Sequence, residues 1–164
     1  MSLLITNSKK LPKEKKNFLS LLALLLKAHY YRRREKNLLE LINQKKHLYS
    51  RICIGQKDSQ GIKLVFLDIS KYPYEYLNPL IIIKDYEFIV EKKELKKILQ
   101  NYHGLEIISK NKILKNELER LLQPIDLLAL NLLIKATKEK IQIYADNLKL
   151  FEAKVIYARR KAFK

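Results

Sequence analysis

The sequence predicts a mostly α-helical α+β protein, in which a small central β-hairpin or sheet is flanked by long, basic N- and C-terminal helices that pack as a helical bundle. Three observations lead to this fold class. Neither glycine nor proline interrupts residues 13–51, which favours a helix because both residue types disfavour helix interiors. Apolar residues recur at helical spacing over residues 127–162. Runs of β-branched and aromatic residues bounded by turn residues are confined to the middle of the chain.

The first segment, residues 1–51, is predicted to be a basic arm followed by a long helix. Pro12 suits the first turn of that helix because its missing N–H would be unpaired there. Nearly every position over residues 18–26 is apolar, which indicates burial on several sides. Two alternatives stay open for this segment: a break in the helix near residues 30–34, and an earlier end of the helix near Lys46.

The second segment, residues 52–109, is predicted to be a small α/β unit. A strand is expected over residues 62–69, where branched and aromatic side chains follow the turn residues of 55–61. Its hairpin partner would be residues 51–54, and this pairing is the reason for the earlier helix end. The remaining elements are a strand over 80–90, or two strands bent at Lys84 and Asp85, then a helix over 91–102 and a strand over 105–109.

The third segment, residues 110–164, is predicted to be a basic helical hairpin. Its first helix covers residues 110–122, and Pro124 interrupts the pattern and suits the start of the next helix. From Leu127 to Ala162 the spacing of apolar residues alternates between three and four, as in a long helix packed against another helix. A second, thinner apolar stripe favours a bundle helix over an isolated coiled coil. All three segments are expected to form one structural domain.

The net charge of +17 is concentrated at the two ends of the chain. Residues 1–51 hold 13 Lys and Arg against 3 Asp and Glu, and residues 110–164 hold 13 against 6, whereas residues 52–109 hold 8 against 8. Unbalanced positive charge in a compact chain repels itself and attracts a polyanion. A nucleic acid is therefore the predicted partner, with RNA favoured over DNA.

Clustered basic and aromatic side chains are the candidate nucleic-acid-binding residues. Guanidinium groups bind phosphates through paired hydrogen bonds, and tyrosine rings stack on unpaired bases. The candidates are Lys9, Lys10, Lys13, Lys15, Lys16, Tyr30, Tyr31, Arg32, Arg33, Arg34, Arg159, Arg160, Lys161 and Lys164. The alternatives are a solvated helix face beside two core tyrosines for residues 30–34, a solubilising tail for the first lysines, and cations placed by the helix dipole for the last ones. If the first and last helices pack antiparallel, both basic groups form a single pole.

No catalytic, metal or cofactor site is predicted. His29, His47 and His103 are far apart in the sequence and Cys53 is the single cysteine, so the spacings typical of zinc ligands are missing. Glycine-rich phosphate loops are missing as well. A nuclease is kept as a minor alternative because two-metal chemistry needs clustered carboxylates, and the chain offers Asp85, Glu87, Glu91 and Glu94. Four lysines close to these carboxylates are more typical of a solvated helix face.

The predicted function is non-catalytic nucleic-acid binding, as an RNA-binding structural subunit of a ribonucleoprotein such as a ribosome. The second hypothesis is a helical scaffold or assembly protein in a viral, plasmid or organellar complex. Its helix from Leu127 to Ala162 would dock other protein subunits, while its charge would face an acidic surface or an anionic membrane. A DNA-binding replication or partition factor is the third. The apolar run of residues 18–26 is too short to span a bilayer, so no transmembrane segment is predicted, and the expected compartment is the cytoplasm or an organelle matrix.

Overall fold

A computed structural model describes residues 3–34, 36–127 and 129–159. In chain order these residues form β1 (Leu3–Asn7), α1 (Lys13–Leu25), β2 (His29–Tyr31), α2 (Leu38–Lys45), β3 (Arg51–Asp58), β4 (Gly61–Asp68), β5 (Glu75–Phe88), α3 (Lys92–Leu99), β6 (Gly104–Ile108), α4 (Lys112–Leu122), β7 (Asn131–Ala136), β8 (Lys140–Ala145) and β9 (Leu148–Ala158). The strands join one mixed sheet in the order β2-β1-β3-β4-β5-β9-β8-β7-β6.

The prediction of a mostly helical bundle is wrong, because the described residues form nine strands and only four short helices. The largest error is the helix predicted over residues 127–162, whose described part forms β7, β8 and β9 instead. In β7 every second residue is buried, namely Leu132, Ile134 and Ala136, which is the period of a strand. The turns that join these strands contain no glycine or proline, and Asp146 adopts a φ of 52°, so the usual hairpin signals are missing. The coiled coil and the docking helix built on this segment are wrong for the same reason.

The single long helix predicted in the first segment is also wrong, and the alternative with a break near residues 30–34 describes the segment better. The chain leaves α1 through Lys27, whose φ of 56° is left-handed, at a position where glycine is the usual signal. β2 then pairs with β1 at the edge of the sheet. α2 begins after Asn37, whose side chain accepts the N–H of Glu40 at 2.8 Å as a helix cap. α2 ends beside Lys46, close to the alternative helix end that was predicted near this residue.

In the middle of the chain the structure confirms most of the predicted elements. β3 and β4 form the expected hairpin, in which Cys53 lies opposite Phe66. β5 is one strand that begins at Glu75, earlier than the predicted residue 80, and its register with β9 shifts between Ile83 and Asp85, at the position of the predicted bend. α3, β6 and α4 lie within or next to the residues predicted for them. β4 and β6 begin at Gly61 and Gly104, and α4 begins after the capping residue Asn111, so local signals marked several of these boundaries.

The sheet consists of two halves with similar connections. In each half two parallel strands are followed by two antiparallel strands. These are β1, β3, β4 and β5 in the first half, and β6, β7, β8 and β9 in the second. The last strands of the two halves, β5 and β9, pair antiparallel at the centre of the sheet. A pseudo-twofold axis perpendicular to the sheet therefore relates the two halves.

The helices are distributed unequally over the two faces of the sheet. α1, α3 and α4 pack on one face, where Phe18, Leu95 and Leu118 belong to the main hydrophobic core. α2 packs on the opposite face of the first half, where Ile42 joins a smaller core with Ile52. No described helix covers that opposite face in the second half. We call this surface the open face, and its side chains include Lys135, Gln142, Tyr144 and Glu152.

Candidate nucleic-acid interface

Basic side chains gather beyond the carboxyl ends of β1 and β2, along one edge of the sheet. The two strands are parallel neighbours, with Thr6 opposite Tyr31, so the residues that follow each strand leave the sheet at the same edge. Two lysines follow β1, three arginines follow β2, and α1 begins with a further lysine. We call this cluster the basic edge, and it consists of Lys9, Lys10, Lys13, Arg32, Arg33 and Arg34.

Asn7 connects the two loops that carry the basic edge. This side chain is fully buried, and its Oδ1 accepts the hydroxyl of Tyr30 at 2.8 Å and the main-chain N–H of Arg33 at 3.1 Å. Its Nδ2 donates to the main-chain oxygens of Ser8 at 2.8 Å and Arg33 at 3.2 Å. A buried amide that makes four hydrogen bonds holds its partners in one arrangement. The folded sheet therefore fixes the main chain of the two loops that carry the basic edge.

Most of the basic edge faces solvent. The exposed members are Lys9, Lys10, Lys13, Arg32 and Arg34. Arg33 is partly buried, and this burial lowers the pKa of its guanidinium group. Its Nε atom is buried without a hydrogen-bond partner in the part of the chain that the structure describes. The N-terminal end of α1 lies at the same edge and adds a positive partial charge, so the edge combines the groups that bind phosphate.

The two adjacent tyrosines of β2 point to opposite faces of the sheet. Tyr30 packs against the main core, and burial raises the pKa of its hydroxyl, which is bonded to Asn7. Tyr31 packs against the smaller core, and its ring lies 5.0 Å from Nζ of Lys45 and 5.9 Å from Nζ of Lys36. Both rings therefore help to hold β2 in place, and only Tyr31 lies beside cations on the surface.

The other predicted binding residues lie apart from the basic edge. On α1, Lys15 donates to the main-chain oxygen of Gly61 at 3.2 Å, and Lys16 is partly buried. Arg159 follows β9, which is four strand spacings or about 19 Å from β1, and it pairs with Glu117 of α4 at 2.7 Å. The antiparallel terminal helices on which the predicted single basic pole depended are wrong, because Leu148–Ala158 is a strand. The remaining candidates, which are Arg160, Lys161 and Lys164, lie outside the described residues.

A second group of cations, which was not predicted from the sequence, lies beside β9. A groove of about 650 Å³ lies there, and we call it the lysine groove. Among the described residues that line it, Glu139 is the one carboxylate. The lysines that line it are Lys84, Lys138, Lys140 and Lys154. A helix would have spread the last three of these lysines over its surface, whereas the β7–β8 hairpin brings them together. The alternation of apolar residues over 131–136 was the signal that could have revealed them.

The open face carries a network of polar side chains next to the lysine groove. Gln142 donates to Oε1 of Glu152 at 2.6 Å, and Nζ of Lys149 lies 3.6 Å from that carboxylate. The pKa of Glu152 is lowered, first by the hydrogen bond from Gln142 and then by the neighbouring lysines. Nearby, Nζ of Lys135 lies 4.4 Å from the ring of Tyr144. An aromatic ring flanked by a cation on an exposed sheet is a surface on which an unpaired base can stack.

The histidines and carboxylates that were considered for chemistry are dispersed. Nδ1 of His29 lies 2.5 Å from the hydroxyl of Tyr49, while His47 and His103 are exposed on separate loops. Among the described residues, no group of three or more His, Cys, Asp or Glu side chains is arranged to hold a metal ion. Within the same residues, no helix has the length and apolar character needed to cross a membrane.

Comparison with known proteins shows a shared fold. No family model matches the sequence, and no curated protein matches it. Among solved structures, the fold is similar to that of Mil, an archaeal Imp4-like protein, with a TM-score of 0.67 and 13% sequence identity. The similarity covers 96% of this chain and 99% of that protein. Nearly the whole chain therefore shares the fold of that protein.

Proposed function

We propose that this protein binds RNA without catalysis, as a structural subunit of a ribonucleoprotein, and that the basic edge contacts the phosphate backbone. The observation that carries this proposal is the convergence of two separate basic loops at the carboxyl ends of β1 and β2. The buried side chain of Asn7 joins these loops, so their cations are positioned before the ligand arrives. Preorganised charges lose less side-chain entropy on binding than charges on a flexible tail.

The chemistry of the basic edge suits a phosphate backbone better than base edges. Arginine and lysine contacts to phosphate position a protein on a nucleic acid, whereas sequence is read by contacts to bases. The cations of the basic edge lie on loops, and a DNA-reading protein commonly places a helix in the major groove. An aromatic ring beside a cation on the open face, Tyr144 with Lys135, favours unpaired RNA, whose bases are accessible for stacking.

Salt dependence of RNA binding tests this proposal. The basic edge has five exposed cations, and each phosphate neutralised on a single strand contributes about −0.7 to the slope of log K against log salt concentration. We expect a slope of about −3 to −4, so that affinity for a single-stranded RNA oligonucleotide falls roughly a hundredfold between about 50 and about 200 mM salt. Fluorescence anisotropy with single-stranded RNA, duplex RNA and duplex DNA measures the slope and ranks the three ligands.

A matched pair of variants separates the basic edge from net charge alone. Arg32→Gln with Arg34→Gln removes two charges from the edge, and the slope should become shallower by about 1.4. Lys92→Gln with Lys93→Gln removes two exposed charges from α3 and should leave affinity within about twofold, because α3 lies outside the basic edge. Equal losses for the two pairs would show that binding depends on total charge and would refute the assigned interface. Tighter binding to duplex DNA than to RNA would favour the replication or partition factor.

A further inference from the structure

β9 lies in the middle of the sheet, but within the described part of the chain its second half has a neighbouring strand on one side only and is therefore a local edge. β9 pairs with β8 only from Leu148 to Lys154, whereas its pairing with β5 continues to Ala158. From residue 155 to residue 158, β9 therefore has a strand neighbour on one side only among the described residues. The lysine groove occupies the other side, and residues 155–157 form part of its wall.

The backbone of this edge offers hydrogen-bonding groups to the groove. The N–H of Val155 points away from β5, because it donates to the main-chain oxygen of Glu139 at 2.9 Å. In an antiparallel pair, successive residues direct their N–H and C=O groups to alternate sides. Tyr157 therefore directs both its N–H and its C=O into the groove. Exposed backbone groups of this kind at a strand edge are a template for pairing with another strand.

The charges around this edge define which strand can approach it. Lysine ammonium groups surround the groove on the β5 side, at the β7–β8 turn and on β9 itself. Three carboxylates oppose these lysines. Glu139 lies in the turn, and Oε1 of Glu152 lies 3.9 Å from Nζ of Lys140. Asp85 lies opposite Lys154 in β5 and accepts the N–H of Tyr86 at 2.9 Å. Lysines at an edge disfavour pairing with a basic strand through charge repulsion and with an uncharged strand through desolvation of the ammonium groups. The same charges attract a strand that carries carboxylates.

We propose that the lysine groove docks an acidic, extended segment of a partner protein, which adds to the sheet as a strand beside residues 155–158 of β9. Main-chain hydrogen bonds to Tyr157 would supply the alignment, and every second side chain of the added strand would lie on the open-face side, near Lys140 and Lys154. Backbone pairing distinguishes this ligand from RNA, which has no repeating amide donors to match a strand edge. This site is independent of the basic edge and of the proposed RNA contact.

A labelled peptide of alternating glutamate and valine residues is the probe for this site. Fluorescence anisotropy at low salt should show binding, and a version with N-methylated amides on its pairing side should bind about tenfold more weakly, because it cannot donate main-chain hydrogen bonds. The variant with Lys138→Gln, Lys140→Gln and Lys154→Gln should also lose about tenfold in affinity. A control with Lys9→Gln, Lys10→Gln and Lys13→Gln removes the same charge from the basic edge and should stay within about twofold.

Amide hydrogen exchange at Tyr157 gives a readout that does not depend on folding of a variant. Saturating peptide should slow exchange of this amide about tenfold, since a paired N–H is protected. Equal affinity for the N-methylated peptide, or unchanged exchange at Tyr157, would overturn the proposal. Protection of this amide by single-stranded RNA but not by the peptide would assign the groove to nucleic acid, and would equally overturn it.

Discussion

Replacing Gly55 in β3 by alanine tests the packing of α1 against the sheet. An added Cβ would lie 2.5 Å from Cδ1 and 2.7 Å from Cδ2 of Leu19, a side chain of α1 that is fully buried. A change from glycine to alanine at an unstrained site stabilises a protein by about 0.4–1 kcal/mol through the unfolded chain. Overpacking a core costs about 1–3 kcal/mol. The packing cost is larger, so Gly55→Ala should lower the free energy of unfolding by about 1–2 kcal/mol.

The same contact predicts a coupling between the two positions. Leu19→Ala alone should cost about 2–5 kcal/mol, because it removes buried methyl groups and leaves a cavity. In that background the added Cβ of Gly55→Ala meets no leucine methyl group and partly fills the cavity. Its effect should then be close to zero or stabilising, which gives a coupling free energy of about 1–2 kcal/mol between residues 19 and 55.

Urea unfolding of the wild type, both single variants and the double variant measures this coupling. The chain has no tryptophan, so tyrosine fluorescence and far-ultraviolet circular dichroism would follow the transition, and agreement between them supports two-state behaviour. An equal effect of Gly55→Ala in the two backgrounds would refute the contact between α1 and β3. A Gly55→Ala protein more stable than the wild type would refute the reasoning about its magnitude.

Three further predictions concern backbone strain, pH and thiol reactivity. Gly61 has a φ of 152° and an added Cβ would lie 2.0 Å from a main-chain oxygen, so Gly61→Ala should lower the melting temperature more than Gly55→Ala, because a backbone cannot move aside as a side chain does. Burial acts to raise the pKa of Asp68, but hydrogen bonds from Ser70 and nearby guanidinium charges outweigh it, and the pKa is lowered. Its carboxylate therefore stabilises the fold above the unfolded pKa of about 3.9, and this stability is lost as the pH falls through the folded pKa. Urea unfolding from about pH 6 to about pH 3 should show a smaller loss for Asp68→Asn than for the wild type, and equal losses would contradict this assignment. Cys53 is fully buried and burial raises the pKa of its thiol, so a thiol reagent should label it only on unfolding, whereas rapid labelling of the native protein would contradict its position in the core.

The candidate interface was only partly visible in the sequence. The lysines after β1 and the arginines after β2 stand out as local clusters, and both belong to the basic edge. Their adjacency depends on the parallel pairing of Thr6 with Tyr31, a contact between residues far apart in the chain that no local pattern encodes. The lysine groove was not predicted, because Lys84 is distant in sequence from Lys138 and Lys140, and a hairpin without glycine or proline brings these residues together.

The sequence by itself determined that this protein carries unbalanced positive charge at both ends, and it located the elements of the middle segment, where turn and capping residues bound short apolar runs. Only the tertiary structure decided whether the apolar residues after position 127 belong to a helix or to strands. The same spacing of leucine and isoleucine satisfies both periods over short stretches, and the choice is made by burial against α4 and pairing with β5. The tertiary structure also decided which cations lie close together. Strand pairing determines which loops are neighbours, and side-chain burial determines which face of the sheet each side chain occupies.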